Sequence, residues 1–399
     1  MNESIILHSD VNNFFASVEC AAKPELKDKP VAVAGNPQKR TGIILAKNEV
    51  AKKFGIKTGQ TIFEAKALCP ELICLEPHYH TYEKISSNLH KIYLEYTDQV
   101  EPLGLDECWL DVTSSSKVLG KTGEEIAYEI KERIKKEFGI TVSVGVSFSK
   151  IFAKLGSDLK KPDAITILSR ENFKEKTYHL PLNSIVGIGR RLEKKFTNMN
   201  VLTIGDYVSL DDDYLKKITN ITGVELKHAL LGEFDHKINS YYDVEQVKSI
   251  GNGTTTIKDI TSRNDIQKVV YFLSEKVCQR MINRSLIAKT ISVSVKTNEL
   301  KTFGKSKTIY PTNSSQIFAK ECMILLDSFW HYDIPIRAVR VNGSNLESTH
   351  EFKQLSLFND KKESLSKSIA YLTKKYGESA IYVASETPDF INKHTFKDN

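Results

Sequence analysis

Three acidic residues, Asp10, Asp106 and Glu107, have the type and setting to organise charge-based chemistry. Asp10 closes the apolar run 5–10, which reads as a strand. Taken alone, an Asp at a strand end is an ordinary turn or cap residue. The pair Asp106-Glu107 follows Pro102 and Gly104 and precedes a half-apolar run at 108–112. Neighbouring side chains of a regular strand face opposite ways, so both acids serve one site only from the bend where the strand begins; Gly104 makes that bend cheap. Adjacent acids beside apolar residues repel each other and cost desolvation energy unless a cation offsets them. Magnesium suits this task, being a hard cation that accepts a few carboxylates completed by water and phosphate oxygens. Two such ions about 3.5 to 4 Å apart serve in-line displacement at phosphorus. An exposed acidic pair at a hairpin accounts equally well for the same residues at this point.

The elements that must hold these acids are mixed. Strand signals at 30–34, 42–46, 107–112, 141–147 and 164–168 alternate with helical patterns at 14–22, 49–54, 79–97, 123–138 and 149–158, which predicts a sheet with helices packed on it over roughly the first 170 residues. From 182 to 231 the pattern is wholly helical, with the small-residue turn Val186-Gly187-Ile188-Gly189 between two helices. A polar stretch at 234–246 reads as a linker. Strands (254–257, 290–297, 338–341) and helices (265–283, 315–329) then predict a second α+β domain, with 344–350 again linker-like and a terminal helix at 364–376. With 399 residues, two to four domains are expected.

No apolar run approaches the roughly 18 to 20 residues of a membrane span, and the N-terminus lacks the layout of a secretory signal, so a cytoplasmic chain without membrane contact is expected. The six cysteines form no CxxC pair and are expected to be reduced. Net charge is +6, and residues 244–347, with 15 Lys+Arg against 9 Asp+Glu, carry all of the excess. A basic domain on a neutral body suits a polyanion such as nucleic acid, although a solvated lysine-rich surface has the same composition.

Three ordered blocks now combine: Asp10-Val11-Asn12-Asn13-Phe14-Phe15-Ala16-Ser17-Val18-Glu19, then Leu105-Asp106-Glu107-Cys108-Trp109-Leu110-Asp111-Val112, then Ser143-Val144-Gly145-Val146-Ser147 running into Lys150, Lys154 and Lys160-Lys161-Pro162. In order and spacing they resemble the Y-family translesion DNA polymerases of the DinB/UmuC group, over residues 1 to about 345. The resemblance implies an α+β multidomain, right-hand polymerase. Its palm would span 1–12 and 78–168, its short fingers 13–77, its helical thumb 169–233, a linker 234–243, its α+β little finger 244–347 and a tail 348–399. It further implies template-directed, low-fidelity incorporation of dNTPs opposite damaged bases. Short fingers of about 65 residues press only lightly on a nascent base pair.

Carried over by residue, Asp10, Asp106 and Glu107 become catalytic carboxylates that hold two Mg2+ ions, with Val11 among the metal-binding positions. Phe15 becomes the steric gate against a ribose 2′-OH. Asn13, Phe14, Phe15, Lys47, Lys52 and Lys161 become the nucleotide-binding set, Lys161 at the triphosphate lysine position. Two fingers positions depart from the family pattern: Glu49 stands where most relatives carry a tyrosine, and Lys52 replaces an arginine, losing its bidentate fork. Gly187 and Gly189 would offer backbone N–H groups to DNA phosphates, and Lys248 and Arg263 would grip primer-template DNA from the little finger. Gln354-Leu355-Ser356-Leu357-Phe358 resembles a sliding-clamp-binding peptide, with Gln354, Leu355, Leu357 and Phe358 as its contacts. A monomer is expected. A two-metal nuclease could use the same acids without needing Phe15 or Lys161, and a catalytically silent DNA- and clamp-binding protein would find its support in Glu49.

Overall fold

Strand β1, Ile6–Val11, is buried along its whole length. It is the central strand of a five-stranded sheet ordered β5-β6-β1-β7-β8 in the computed structural model, which describes residues 3–40, 42–233, 237–243 and 247–349. The sheet is completed by β5 (Val100–Leu103), β6 (Glu107–Asp111), β7 (Val142–Ser147) and β8 (Ile165–Leu168). Both neighbours of β1 run antiparallel to it, with Asp10 opposite Glu107 on one side and Ser143 on the other.

Strand alternation divides the side chains of β1 between two helical layers. Leu7 and Val11 pack with α1 (Phe14–Ala22), α4 (Tyr79–Leu94) and α6 (Gly123–Phe138), and the Ser9 hydroxyl meets that of Tyr93 on α4. Ile6, His8 and Asp10 face α7 (Lys150–Leu159) instead, where Ile6 joins Trp109 and Ala153. Helix α7 lies very close to β7. A Cβ on Gly145 would overlap the carbonyl oxygen of Ala153 and come within 2.6 Å of the Ser157 amide nitrogen, so only glycine admits this approach. Ser149 caps the helix by accepting from the Phe152 N–H.

A smaller three-stranded sheet, β3-β2-β4, comprises β2 (Val31–Ala34), β3 (Ile44–Lys47) and β4 (Ile73–Leu75), flanked by α2 (Glu49–Lys53) and α3 (Ile62–Leu68). It has its own core around Ile44, Ile56 and Leu72. Helix α5 (Thr113–Leu119) follows β6. Beyond β8 come α8 (Phe173–Thr177), α9 (Arg190–Thr197), α10 (Ile204–Val208), α11 (Asp212–Thr219) and α12 (Ile221–Leu230), gathered on a core that includes Phe196 and Tyr207. These elements form one compact unit, residues 1–35 with 43–244; residues 36–42 with 245–399 form the other.

The second unit is a four-stranded antiparallel sheet, β11-β10-β12-β9, carrying two helices. In chain order these are β9 (Ser249–Ile260), α13 (Arg263–Asn283), β10 (Leu286–Thr297), β11 (Thr302–Thr312), α14 (Ser315–Asp327) and β12 (Ile336–Ser348). Its core gathers Val269, Leu273, Val293, Phe318 and Val341.

The mixed α/β architecture with several sheets agrees with the expectation, with one correction. Residues 344–348 are not a linker: β12 continues through them, pairing Leu346 with Ala288 and Ser348 with Leu286. Their polar side chains suggested a loop, but half of an exposed sheet face is polar in any case. All six cysteines are free, and among the described residues no helix is long and apolar enough to cross a membrane. The expected terminal helix and the segment 354–358 lie outside the described residues.

Candidate active site

The three acids meet at one edge of the five-stranded sheet. Asp10 sits one residue before the end of β1, buried, and Glu107 opens β6 directly opposite. Asp106 is the last residue of the turn joining β5 to β6, where Gly104 adopts a φ of 76° and the Val11 N–H bonds the Asp106 carbonyl at 2.9 Å. The bend that two adjacent acids require is therefore present, and glycine is the residue that permits it.

Two ammonium groups stand among the carboxylates. Lys154 on α7 places Nζ 2.7 Å from Glu107 Oε2 and 3.2 Å from Asp10 Oδ2. Lys161 places Nζ 2.7 Å from the same Asp10 oxygen and 2.8 Å from Asp158. Behind Glu107, the buried His8 has Nε2 at 3.3 Å from Oε2, Nδ1 at 2.9 Å from the Ser157 hydroxyl, and its ring edge-on to Trp109. Burial lowers the His8 pKa against the opposing pull of Glu107, keeping the imidazole neutral. Burial by itself would raise Glu107, but its bonds to His8 and Lys154 hold it well below the usual carboxylate range.

Asp106 is the exception. It has no ion-pair partner among the described residues, and burial together with the charges of Asp10 and Glu107 pushes its pKa up to about 6. With Asp158, four carboxylates face two ammonium groups, which leaves negative charge centred on Asp106. Among the described residues no three acid, imidazole or thiolate groups converge as a ready-made cage; the ammonium groups lie between them. The donor set, all oxygen and open to a cleft, fits a hard divalent cation.

That cleft has a volume of about 300 Å³. Its walls bring together most of the nucleotide-binding set expected from the sequence, Asn13, Phe14, Phe15, Lys47 and Lys161, along with the acids, the expected metal-binding position Val11, and Thr58. Phe15 is half-buried, with its ring stacked on Tyr82 at 4.3 Å between centroids and 12° between planes. Lys47 donates to the Thr58 hydroxyl at 3.2 Å, and burial followed by nearby Lys52 lowers its pKa. Lys52 is not on the cleft wall. It is exposed, and its ammonium lies 3.4 Å from Glu49, whose same oxygen accepts a 2.8 Å hydrogen bond from Asn13. Glu49 thus accepts from Asn13, a residue in left-handed conformation that lines the cleft, and forms an exposed ion pair with Lys52.

The remaining expected contacts lie elsewhere. Gly187 and Gly189 are exposed in the turn before α9, anchored by buried Ile185 and Ile188. Gly187 also lines a mainly apolar cavity of about 490 Å³ that shares Lys154 with the cleft. In the second unit Lys248 is exposed just ahead of β9, whereas Arg263 forks onto the Asp327 carboxylate at 2.6 and 3.1 Å.

His8, Lys154 and Asp158 belong to the site although motif reading assigned them no role. One signal was available: Lys154 and Asp158 stand one helical turn apart on α7, with Lys161 just beyond the helix end. His8 carried a weaker one, as the strand neighbour of Asp10 on the same face.

Comparisons with known proteins identify the family. The impB/mucB/samB family model matches residues 9–158, and the model of that family's C-terminal domain matches 247–357. A protein named DNA polymerase IV from Acetivibrio thermocellus is 44% identical over 359 residues, 89% of each chain. DNA polymerase IV of Pelotomaculum thermopropionicum is 34% identical over 96% of each, and DNA polymerase IV 1 of Bacillus subtilis 33% identical over 94% of this chain and 92% of its own. Among solved structures, the Y-family DNA polymerase chimera Dbh-Dpo4(243-245)-Dbh superposes with a TM-score of 0.75 at 26% identity, covering 86% of this chain and 98% of that one. A Dbh ternary complex gives 0.60 at 25% identity, covering 85% and 98%.

Proposed function

We propose a reaction from one premise: the chain belongs to the impB/mucB/samB family of Y-family DNA polymerases. It is a DNA-directed DNA polymerase of the translesion class, acting on DNA and nucleotides, and family membership implies dependence on a divalent metal. The primer 3′-OH attacks the α-phosphate of a template-paired dNTP, and pyrophosphate leaves.

Asp10, Asp106, Glu107 and the Val11 backbone would hold two magnesium ions, which when bound supply Lewis-acid stabilisation of phosphoryl charge and lower the pKa of the attacking hydroxyl. The protein's own groups do the rest. Lys161 and Lys154 neutralise triphosphate oxygens once these compete for their ammonium groups. Phe15 fills the space beside the sugar C2′, so that a ribose hydroxyl clashes. Asn13, held by Glu49, and Lys47 line the path of the triphosphate.

The five-stranded sheet serves as palm (1–12 and 78–168), the three-stranded sheet as fingers (13–77), the helical segment 169–233 as thumb and 244–347 as little finger. The turn at Gly187 and Gly189 and basic residues such as Lys248 bind primer-template phosphates, giving an affinity that falls steeply with salt. The protein works as a cytoplasmic monomer and reaches a sliding clamp through residues 354–358. Deletion of that peptide is expected to abolish stimulation by the clamp and leave unstimulated synthesis intact.

The observation that carries this reading is the convergence of the three acids, Phe15 and Lys161 on a single cleft. Primer extension with dNTPs tests it. Asp106→Ala is expected to abolish extension while primer-template binding persists, and extension at the wild-type rate would refute the assignment. A nuclease has no use for a sugar gate. The silent alternative leaned on Glu49, whose contacts with Asn13 and Lys52 are equally compatible with a positioning role in an active enzyme.

A further inference from the structure

Glu19 is a buried carboxylate that the polymerase reaction does not use. It lies in the last turn of α1, at the negative end of the helix dipole, where an acid is disfavoured, and its side chain is only 6% exposed. Both costs call for compensation. One carboxylate oxygen supplies it by accepting the Tyr82 hydroxyl at 2.6 Å and His78 Nδ1 at 2.8 Å. Burial and the bond to Glu19 push the Tyr82 phenol far above its ordinary pKa, so the hydroxyl remains a donor.

Tyr82 is fully buried, and its ring spans two positions of α1 that are one helical turn apart. Its hydroxyl is fastened at Glu19, and its face lies flat against Phe15 four residues earlier. Tyr79 closes the edge of the same cluster, with its ring 5.9 Å from Phe15 and 6.1 Å from Tyr82. One face of Phe15 is thus available to the cleft, and what lies behind the other decides how far the ring can retreat.

We propose that Glu19 is a positioning residue for sugar discrimination: by fastening the Tyr82 hydroxyl it fixes the surface behind Phe15, so the gate cannot recede from a ribose 2′-OH. This rests on the reading of Phe15 as the gate.

The test is single-nucleotide insertion by the full-length protein on a primer-template, comparing kcat/KM for a dNTP with that for the matching rNTP. Tyr82→Phe keeps the ring and removes only the hydroxyl; Glu19→Leu removes the acceptor. Loss of a hydrogen bond to a charged group is expected to lower the dNTP-to-rNTP ratio about tenfold in each, chiefly through a lower KM for the rNTP. Glu19→Gln retains an acceptor oxygen and should recover most of the discrimination, and His78→Ala, which leaves the Tyr82 bond in place, should stay near wild type. Should Glu19→Leu fail to fold, Tyr82→Phe decides alone. Ratios within about twofold of wild type in Tyr82→Phe, alongside a collapsed ratio in Phe15→Ala, overturn the tether and keep the gate. An unchanged ratio in Phe15→Ala overturns the gate itself.

Discussion

The ammonium of Lys154 stands 2.7 Å from the carboxylate of Glu107, deep enough that neither group is well solvated. It also reaches Asp10, so one cation joins acids from two neighbouring strands to helix α7. Removing one partner of a buried pair leaves the other charge uncompensated. Lys154→Ala is therefore expected to lower stability by about 3 kcal/mol in metal-free buffer. Magnesium should restore more of that loss than it adds to wild type, a difference that thermal unfolding with and without the ion will show.

Lys161 and Lys52 were expected to share the triphosphate, but only Lys161 lines the cleft. Lys161→Ala should raise the KM for dNTP about tenfold, the worth of a lost charged contact. Lys52 is exposed and paired with Glu49, so Lys52→Ala should change KM by less than about threefold. Steady-state insertion kinetics on both variants check the contrast.

Gly145→Ala should be among the most damaging single-methyl additions in the chain, because the new Cβ would overlap backbone atoms of α7 that cannot swing aside. The expected cost is roughly 3 kcal/mol or more. If the variant folds, displacement of α7 moves Lys154 and activity falls with stability. Chemical denaturation and primer extension together report both effects.

Asp163 ties the segment after Lys161 to helix α6 through Lys131 at 2.9 Å and Lys135 at 2.7 Å. Burial would raise its pKa, but those two lysines prevail and hold it below its ordinary value of 3.8. A depressed carboxylate contributes stability that is fully present above its unfolded pKa and is lost as pH falls through the folded value. Wild type should accordingly exceed Asp163→Asn by about 1 kcal/mol at pH 7. The gap should begin to close below about pH 4 and vanish only below the folded value, which urea unfolding across that range will test.

Much of this architecture is legible in the chain because local and tertiary demands coincide. Helix α1 begins and ends where its pattern predicts, and Gly104 marks the bend before the acids. Legibility fails where tertiary pairing alone makes the structure. Strand β11 carries Lys305, Lys307 and Gly304 with almost every side chain exposed, so it has no buried alternation to read; its pairing with β10 makes it a strand. The supporting residues of the site escape notice for a similar reason. Nothing local to Tyr82 places its ring against Phe15, and nothing local to His8 places it behind Glu107. These contacts join residues 67 and 99 positions apart, and short motifs do not encode them.

The central place of β1 has a consequence for synthesis. It leaves the ribosome before its partners β6 and β7, which lie about 100 and 130 residues downstream and so follow many seconds later at about 5–20 residues per second. Until then Asp10 rides on a lone strand with neither Glu107 nor Lys154 beside it. Any product cut short before β7 therefore carries the first acid without the sheet that gives it meaning. Such a product is expected to support no primer extension.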